Sequence, residues 1–178
     1  DRQGRTSLPE VWAAGDCATV WHSVKQQQVY VPLATIANKL GRLVGENLAG
    51  ATQEFPGTLA SAALQVLGLE LGRTGSGEWE AQQLGIDYRT VVVKDKCHTN
   101  YRPGQSDIHV KLLYEATSKR VLGGQIVGRK GAVHRIDALA VAITMGVTTS
   151  QLGMMDFAYA PPFSRTWDVL NVAGNIAK

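Results

Sequence analysis

Only two cysteines, Cys17 and Cys97, occur in the 178 residues, with no CxxC spacing and no histidine at metal-ligand spacing. That excludes a disulfide scaffold and a structural zinc site, and it fits a reducing cytoplasm. His22, His98, His109 and His134 are dispersed, so no metal is expected. No stretch approaches the roughly 20 apolar residues of a membrane span, and the opening DRQGRTSLPE is too polar for a signal peptide. The net charge of +3 comes from scattered Lys and Arg, with no basic run interleaved with aromatics. Nucleic acid is therefore not expected as a partner, and an anionic small ligand suits the modest positive bias better. A complete GxGxxG dinucleotide fingerprint is also missing. There is no initiator Met, and a strand-like segment follows almost at once, so the chain reads as a piece of something longer.

At 44% hydrophobic content the chain can pack one ordinary domain, or a small domain plus part of another. Its first unit is a strand-like Val11–Ala14 ending in Gly15-Asp16, then a loop rich in Gln and His, then a helix. Pro32 sits where a first-turn proline is tolerated, and Leu33, Ile36, Ala37, Leu40, Val44 and Leu48 recur on one helical face. Asn38, Lys39, Arg42 and Glu46 take the other face. A strand feeding a helix is half of an α/β unit. The turn-rich segment 50–57, closing on Phe55-Pro56-Gly57, is the expected boundary. It divides the chain into 1–55 and 56–178.

Past the boundary the order of elements changes. An apolar stretch over 59–71 is broken near Gly68, 78–84 predicts a short helix, and 88–93, 108–114 and 121–127 are rich in β-branched residues. In the second of these strands Ile108, Val110 and Leu112 share one face, with His109 and Lys111 on the other. A hairpin turn is expected over 115–120. Helices close the chain, one carrying Ile136, Leu139, Ala140 and Ile143 as a stripe and another Val169, Val172, Ala173 and Ile176. Strands together and then helices together predict an α+β domain with helices against an antiparallel sheet.

Three groups of residues carry possible chemistry. At Ala14-Gly15-Asp16 a carboxylate can accept hydrogen bonds from two vicinal hydroxyls, and the small residues let a ligand approach the backbone. Taken alone this reads as a turn. Downstream, free amides at Leu33, Ala34 and Thr35 offer partial positive charge to an electron-rich ring edge. Tyr101 and Tyr159 form the second group: a phenol with a pKa near ~10 is a hydrogen-bond donor at neutral pH, able to stabilise or protonate a departing thiolate. By themselves they read as half-buried packing residues with the hydroxyl at the surface. Third, Cys97 and His98 are adjacent, and in an extended chain they point to opposite faces, poor geometry for an activated pair. Gly72–Gly77 imitates a phosphate loop, but Glu78 and Glu80 behind it repel phosphate. Gly128-Arg129-Lys130-Gly131, ahead of the Ile136 helix, is the better anion site electrostatically, but it reads first as a plain loop.

Taken in order, Thr6-Ser7 with Pro9, VWAAGDCA, VPLATIANKLGR and Phe55-Pro56-Gly57-Thr58 resemble the closing segment of the FAD domain in pyridine nucleotide-disulfide reductases. The similarity continues through RTGSGEWEAQQLG, NYRPG, VLGGQIVG, RIDALAVAI and YAPPFSRTWD. It implies that Asp16 binds the ribityl and phosphate side of FAD, and that the helix start at Leu33 faces the flavin pyrimidine. YAPPF resembles the coenzyme A disulfide reductase and NADH oxidase branch. There the corresponding tyrosines reach the active site of the other subunit, whereas the glutathione reductase branch ends with a His and a Glu. This chain has no His after His134. The branch often carries a Lys before the Asp that follows the proline pair, and here Trp167 stands there. Arg165 is the candidate substitute for contacting a substrate phosphate.

The resemblance thus implies a homodimeric FAD and NAD(P)H dependent oxidoreductase acting on a disulfide, a persulfide such as a coenzyme A derivative, or oxygen. Its redox cysteine would lie outside these residues, and the flavin site here would be incomplete. The competing expectation is a homodimerising or small-ligand-binding α+β module without catalysis of its own.

Overall fold

The computed structural model describes residues 1–177 and divides them into two compact units, Asp1–Ala60 and the residues from Ser61 onward. In the first unit, β1 (Thr19–His22) and β2 (Gln27–Tyr30) form an antiparallel hairpin followed by α1 (Ala34–Leu48). Val20, Ile36, Leu40, Leu43, Val44 and Phe55 make its buried core, with Trp12, Ala14 and Leu33 packed against it.

Two sequence expectations fail here. Val11–Ala14 is not a regular strand: only Trp12 bridges, to Arg5, because a ladder needs neighbouring backbone and only the 4–6 segment supplies any. The expected loop after it is a hairpin, whose four-residue strands are too short for alternation to show in sequence. Its turn is held by the buried His22, where Nδ1 accepts the Val24 and Lys25 amides at 3.2 and 3.3 Å.

The α1 stripe forms as its spacing predicts, except at its end. Leu48 is exposed, and Asn47 takes the inward position, donating to the carbonyls of Gln3 and Gln53 and accepting the Gln53 amide at 2.7 Å. A polar residue can occupy that place because each of its buried groups has a partner. Pro32 lies one residue ahead of the N-cap Leu33.

The second unit is the expected α+β fold. Strands β3 (Ala62–Val66), β4 (Leu69–Gly75), β5 (Tyr88–Lys96), β6 (Asp107–Glu115) and β7 (Val121–Gly128) pair antiparallel in the order β3-β4-β7-β6-β5. The break foreseen near Gly68 is the β3–β4 turn, and the short helix α2 (Glu78–Gln83) joins β4 to β5. Three further helices, α3 (Ala132–Thr144), α4 (Thr149–Gly153) and α5 (Val169–Ile176), follow the sheet.

Ile108, Val110 and Leu112 are fully buried, while His109 and Lys111 alternate to the other face. Burial of each such side chain stabilises the fold by about 1.5–3 kcal/mol. The helix-facing surface is also where Gly72 and Gly124 lie. A Cβ on either would come within 2.5 Å of Ile136 or Leu139, so α3 sits directly on the strand backbone.

On α3 Ile136, Leu139 and Ile143 of the expected stripe are buried, whereas Ala140 is half-buried and Ala142 takes an inward place. On α5 the buried face is rotated: Leu170, Asn171 and Gly174 join Val169 and Ala173, and Ile176 is exposed. Asn171 causes the rotation, since its amide donates to Leu152 O and Met155 O at 3.2 and 3.0 Å and ties α5 to the α4 turn. Helix α4 was not foreseen; Thr148 caps it by accepting the Gln151 amide. Among the described residues no helix is long and apolar enough to cross a membrane.

Candidate functional site

Two loops of the second unit bring the tyrosines together. One leaves β5 and runs over 97–106, the other over 157–164 leads into α5. Their hydroxyls, 58 residues apart in sequence, lie 3.4 Å from each other. Both side chains are exposed, and they line a cleft of about 830 Å³ with Arg165, Thr166, Trp167 and Asp95. The Thr99 hydroxyl donates to Pro161 O at 3.1 Å and joins the loops directly. Tyr101 and Tyr159 each read alone as packing residues; their meeting is a product of tertiary structure.

The neighbouring Tyr101 hydroxyl, followed by local loss of water, raises the Tyr159 phenol above its ordinary value, and Thr166 offsets this only in part. Tyr159 is therefore protonated throughout the neutral range. Of the two hydroxyl protons, one is shared between the oxygens and one is left to face the cleft.

Arg165 stands at the same cleft, paired with the Asp95 carboxylate of β5. That pairing fixes the guanidinium and takes one edge of it, with the other N–H groups left for a ligand. Trp167, where the branch often has Lys, is half exposed on the cleft wall.

In the first unit, Gly15 adopts φ 94° with open space where a Cβ would stand, and Asp16 is exposed without a partner among the described residues. The N-terminus of α1 has no side-chain cap and no acidic residue in its first turn. The Ala34 and Thr35 amides are left without an intrahelical acceptor, as sequence reasoning anticipated. Leu33 differs: its amide donates to Val31 O at 2.9 Å, a tight turn that consumes it. A carboxylate that accepts and two amides that donate have the chemistry to meet one edge of a flavin nucleotide: hydroxyls on the carboxylate, ring carbonyl on the amides.

Cys97 and His98 correct the extended-chain expectation. The backbone bends after β5, so both side chains turn inward, and Sγ lies 2.9 Å from the His98 Nδ1. Burial pushes the Cys97 thiol up, but the Ser106 hydroxyl and amide together with His98 outweigh it, and the net shift is downward. The contact serves structure: the other His98 nitrogen meets Pro103 O at 3.3 Å within the Tyr101 loop.

At both glycine-rich segments a carboxylate of the chain itself takes the place open to an anion. In Gly72–Gly77, Glu80 caps α2 through the Gly77 amide at 2.7 Å and pairs with Arg73 at 3.2 Å. Behind Gly128–Gly131, the Glu70 carboxylate already occupies the start of α3. No cluster of metal-ligating side chains occurs among the described residues.

What sequence reasoning missed is Arg135 with Asp168, an ion pair of 2.7 Å whose side chains are 11% and 8% exposed. The one signal was a lone arginine beside Ile136 at the start of an apolar stripe.

Residues 61–169 match the family described as pyridine nucleotide-disulphide oxidoreductase, dimerisation domain. An NAD(P)H sulfur oxidoreductase (CoA-dependent) of Pyrococcus furiosus is 40% identical over 174 residues, covering 98% of this chain and 39% of that protein. An NADH oxidase of Enterococcus faecalis is 32% identical over 97% of the chain and 39% of its own length. Among solved structures, a NAD-dependent persulfide reductase from A. fulgidus superposes with a TM-score of 0.94 at 37% identity, covering 99% of this chain and 33% of that one. The chain thus spans about two fifths of the curated relatives it matches. With its five-stranded antiparallel sheet, flanking helices and ordered motifs, it belongs to the pyridine nucleotide-disulphide oxidoreductase family, as that family's dimerisation domain preceded by a strand-poor, helix-bearing unit.

Proposed function

We propose that this chain is the C-terminal part of a homodimeric, cytoplasmic FAD and NAD(P)H dependent oxidoreductase that reduces a disulfide, persulfide or oxygen. Residues 1–55 close the FAD-binding domain and 56–178 form the dimerisation domain, which delivers Tyr159 and Tyr101 to the active site of the other subunit. The observation that carries this reading is the 3.4 Å approach of the two hydroxyls in a cleft that also holds Arg165.

FAD, when bound, supplies two-electron transfer between a nicotinamide and sulfur. Toward it this chain offers Asp16 for hydroxyl groups, Gly15 for close backbone approach, and the Ala34 and Thr35 amides for a ring carbonyl, with Leu33 contributing packing.

When the thiolate of a cysteine outside these residues attacks a sulfur–sulfur bond, it bonds to one sulfur while the other departs with the bonding electron pair and needs a donor. A phenol at or above ~10 against a thiol near ~8.5 makes full proton transfer uphill by about 2 kcal/mol. Tyr159 with Tyr101 therefore acts chiefly by hydrogen-bonding the thiolate, which takes its proton from solvent afterwards. Arg165 holds an anionic group of the substrate, such as the phosphate of a coenzyme A derivative.

The test is a chimera in which residues 1–178 replace the matching portion of the Pyrococcus furiosus relative. Nicotinamide oxidation is then followed with coenzyme A disulfide, a persulfide and oxygen in turn. The expected result is sulfur-dependent turnover that falls by about 10–100-fold in Tyr159→Phe, the loss of one hydrogen bond to a charged sulfur. Turnover indifferent to that substitution would overturn the role.

A further inference from the structure

The two tyrosine loops are held by more than the Thr99–Pro161 bond. Arg135, on the first turn of α3, donates through Nη2 to Cys97 O at 3.2 Å, where the Tyr101 loop begins. The same nitrogen reaches Phe163 O at 3.4 Å, where the Tyr159 segment ends. Nη1 donates to Gly131 O at 2.9 Å, which fixes the guanidinium to its own helix start. Nε donates to the Asp168 carboxylate at 2.9 and 3.1 Å.

Asp168 is itself immobilised. It accepts the Ser164 hydroxyl at 2.9 Å and the Leu170 amide at 3.0 Å, and it caps α5. One planar cation thus ties together α3, the cap of α5 and the backbone of both tyrosine loops. A neutral hydroxyl bond such as Thr99–Pro161 is weaker than a charge-assisted fork fixed by a carboxylate of low exposure.

We propose that Arg135 is the positioning residue of the tyrosine pair: anchored by Asp168, it ties Cys97 O to Phe163 O and so sets the distance between the Tyr101 and Tyr159 hydroxyls. The inference rests on the reading of that pair given above. Arginine is required because the task needs several donors spread in a plane. Lysine carries its charge on one ammonium and lacks the separate Nε and Nη1 donors, so it cannot hold the Asp168 carboxylate and Gly131 O while a second nitrogen stays between Cys97 O and Phe163 O.

The experiment follows the Tyr159 phenol of the full 178-residue chain by NMR with tyrosine labelled at Cζ. Tyr101→Phe, Arg135→Lys and the double variant Arg135→Met/Asp168→Asn are compared with the unaltered chain. The double variant removes both charges, so it leaves no unpaired buried carboxylate if Arg135→Lys fails to fold.

The expected result is that Tyr101→Phe and each folded Arg135 variant lower the Tyr159 titration toward the ordinary phenol range, with the far-ultraviolet circular dichroism unchanged. A folded Arg135 variant that keeps the raised titration overturns the proposal, and so does a Tyr101→Phe chain in which Tyr159 does not move. Loss of the chemical role shows differently, as turnover untouched by Tyr159→Phe in the chimera while the titrations still respond to Arg135.

Discussion

The Glu70 carboxylate on β4 accepts the Ala132 amide at 2.8 Å and the Val133 amide at 3.4 Å, so the first turn of α3 is neutralised by the protein itself. The first amides behind this basic glycine loop are thus already engaged within the chain. The positive end of the helix is spent on joining α3 to the sheet.

Replacing Glu70 by Ala should cost about 0.5–2 kcal/mol, the usual loss for a helix cap. The melting temperature should then drop by roughly 2–4 °C per kcal/mol. Inorganic phosphate should restore part of the loss in Glu70→Ala and have little effect on the unaltered chain. Equal stabilisation of both by phosphate would count against an internally filled site.

Asp107 makes one contribution to the acid limb of stability. Lys96 and then Lys94, bonded to it at 2.6 and 3.0 Å across the β5–β6 edge, hold its carboxyl down to about 2. In the unfolded chain an aspartate titrates near ~3.9, so the folded state favours the charged form. The contribution is complete above pH ~4 and is lost as pH falls toward 2. Melting curves of Asp107→Asn should therefore converge with those of the unaltered chain at the acid end. The difference should shrink in high salt, because the group is exposed. A gap that persists undiminished at the lowest pH would contradict the assignment.

Thiol counting separates the two cysteines. Cys17 is exposed and Cys97 is 2% exposed. A thiol-reactive dye should label one equivalent rapidly in the folded chain and two in denaturant, even though Ser106 and His98 favour the Cys97 thiolate. Rapid labelling of both in the folded chain would show that the Cys97 enclosure opens.

Flavin retention probes how much of the cofactor site is here. Asp16, Ala34 and Thr35 are the proposed edge. The isolated chain, mixed with FAD and desalted, should carry none, whereas the chimera should carry it stoichiometrically. Flavin absorbance co-eluting at one equivalent with the isolated chain would show a self-sufficient site.

Much of the second unit was legible because its signals are local. Alternation at Ile108, Val110 and Leu112 became three fully buried side chains, and the glycine at 68 became a turn. Period 2 and period 3.6 report which face is apolar, and burial follows the face. Where the pattern misled, a polar group had found partners: Asn47 displaced Leu48 from the inward face, and Asn171 rotated α5. Val11–Ala14 misled for the opposite reason, since an apolar run becomes a strand only beside other backbone.

By itself the sequence determined the α+β class, the antiparallel sheet with its helices and, through its ordered motifs, the family. It could also nominate Tyr101, Tyr159, Arg165 and the Gly15-Asp16 turn as separate residues. Only the tertiary structure decided that the two tyrosines meet, that Arg135 bridges their loops, and that Cys97 and His98 face the same way. The physical reason is one of range: side-chain periodicity acts over a few residues, whereas a hydrogen bond between positions 58 apart exists only after the sheet and helices between them have closed.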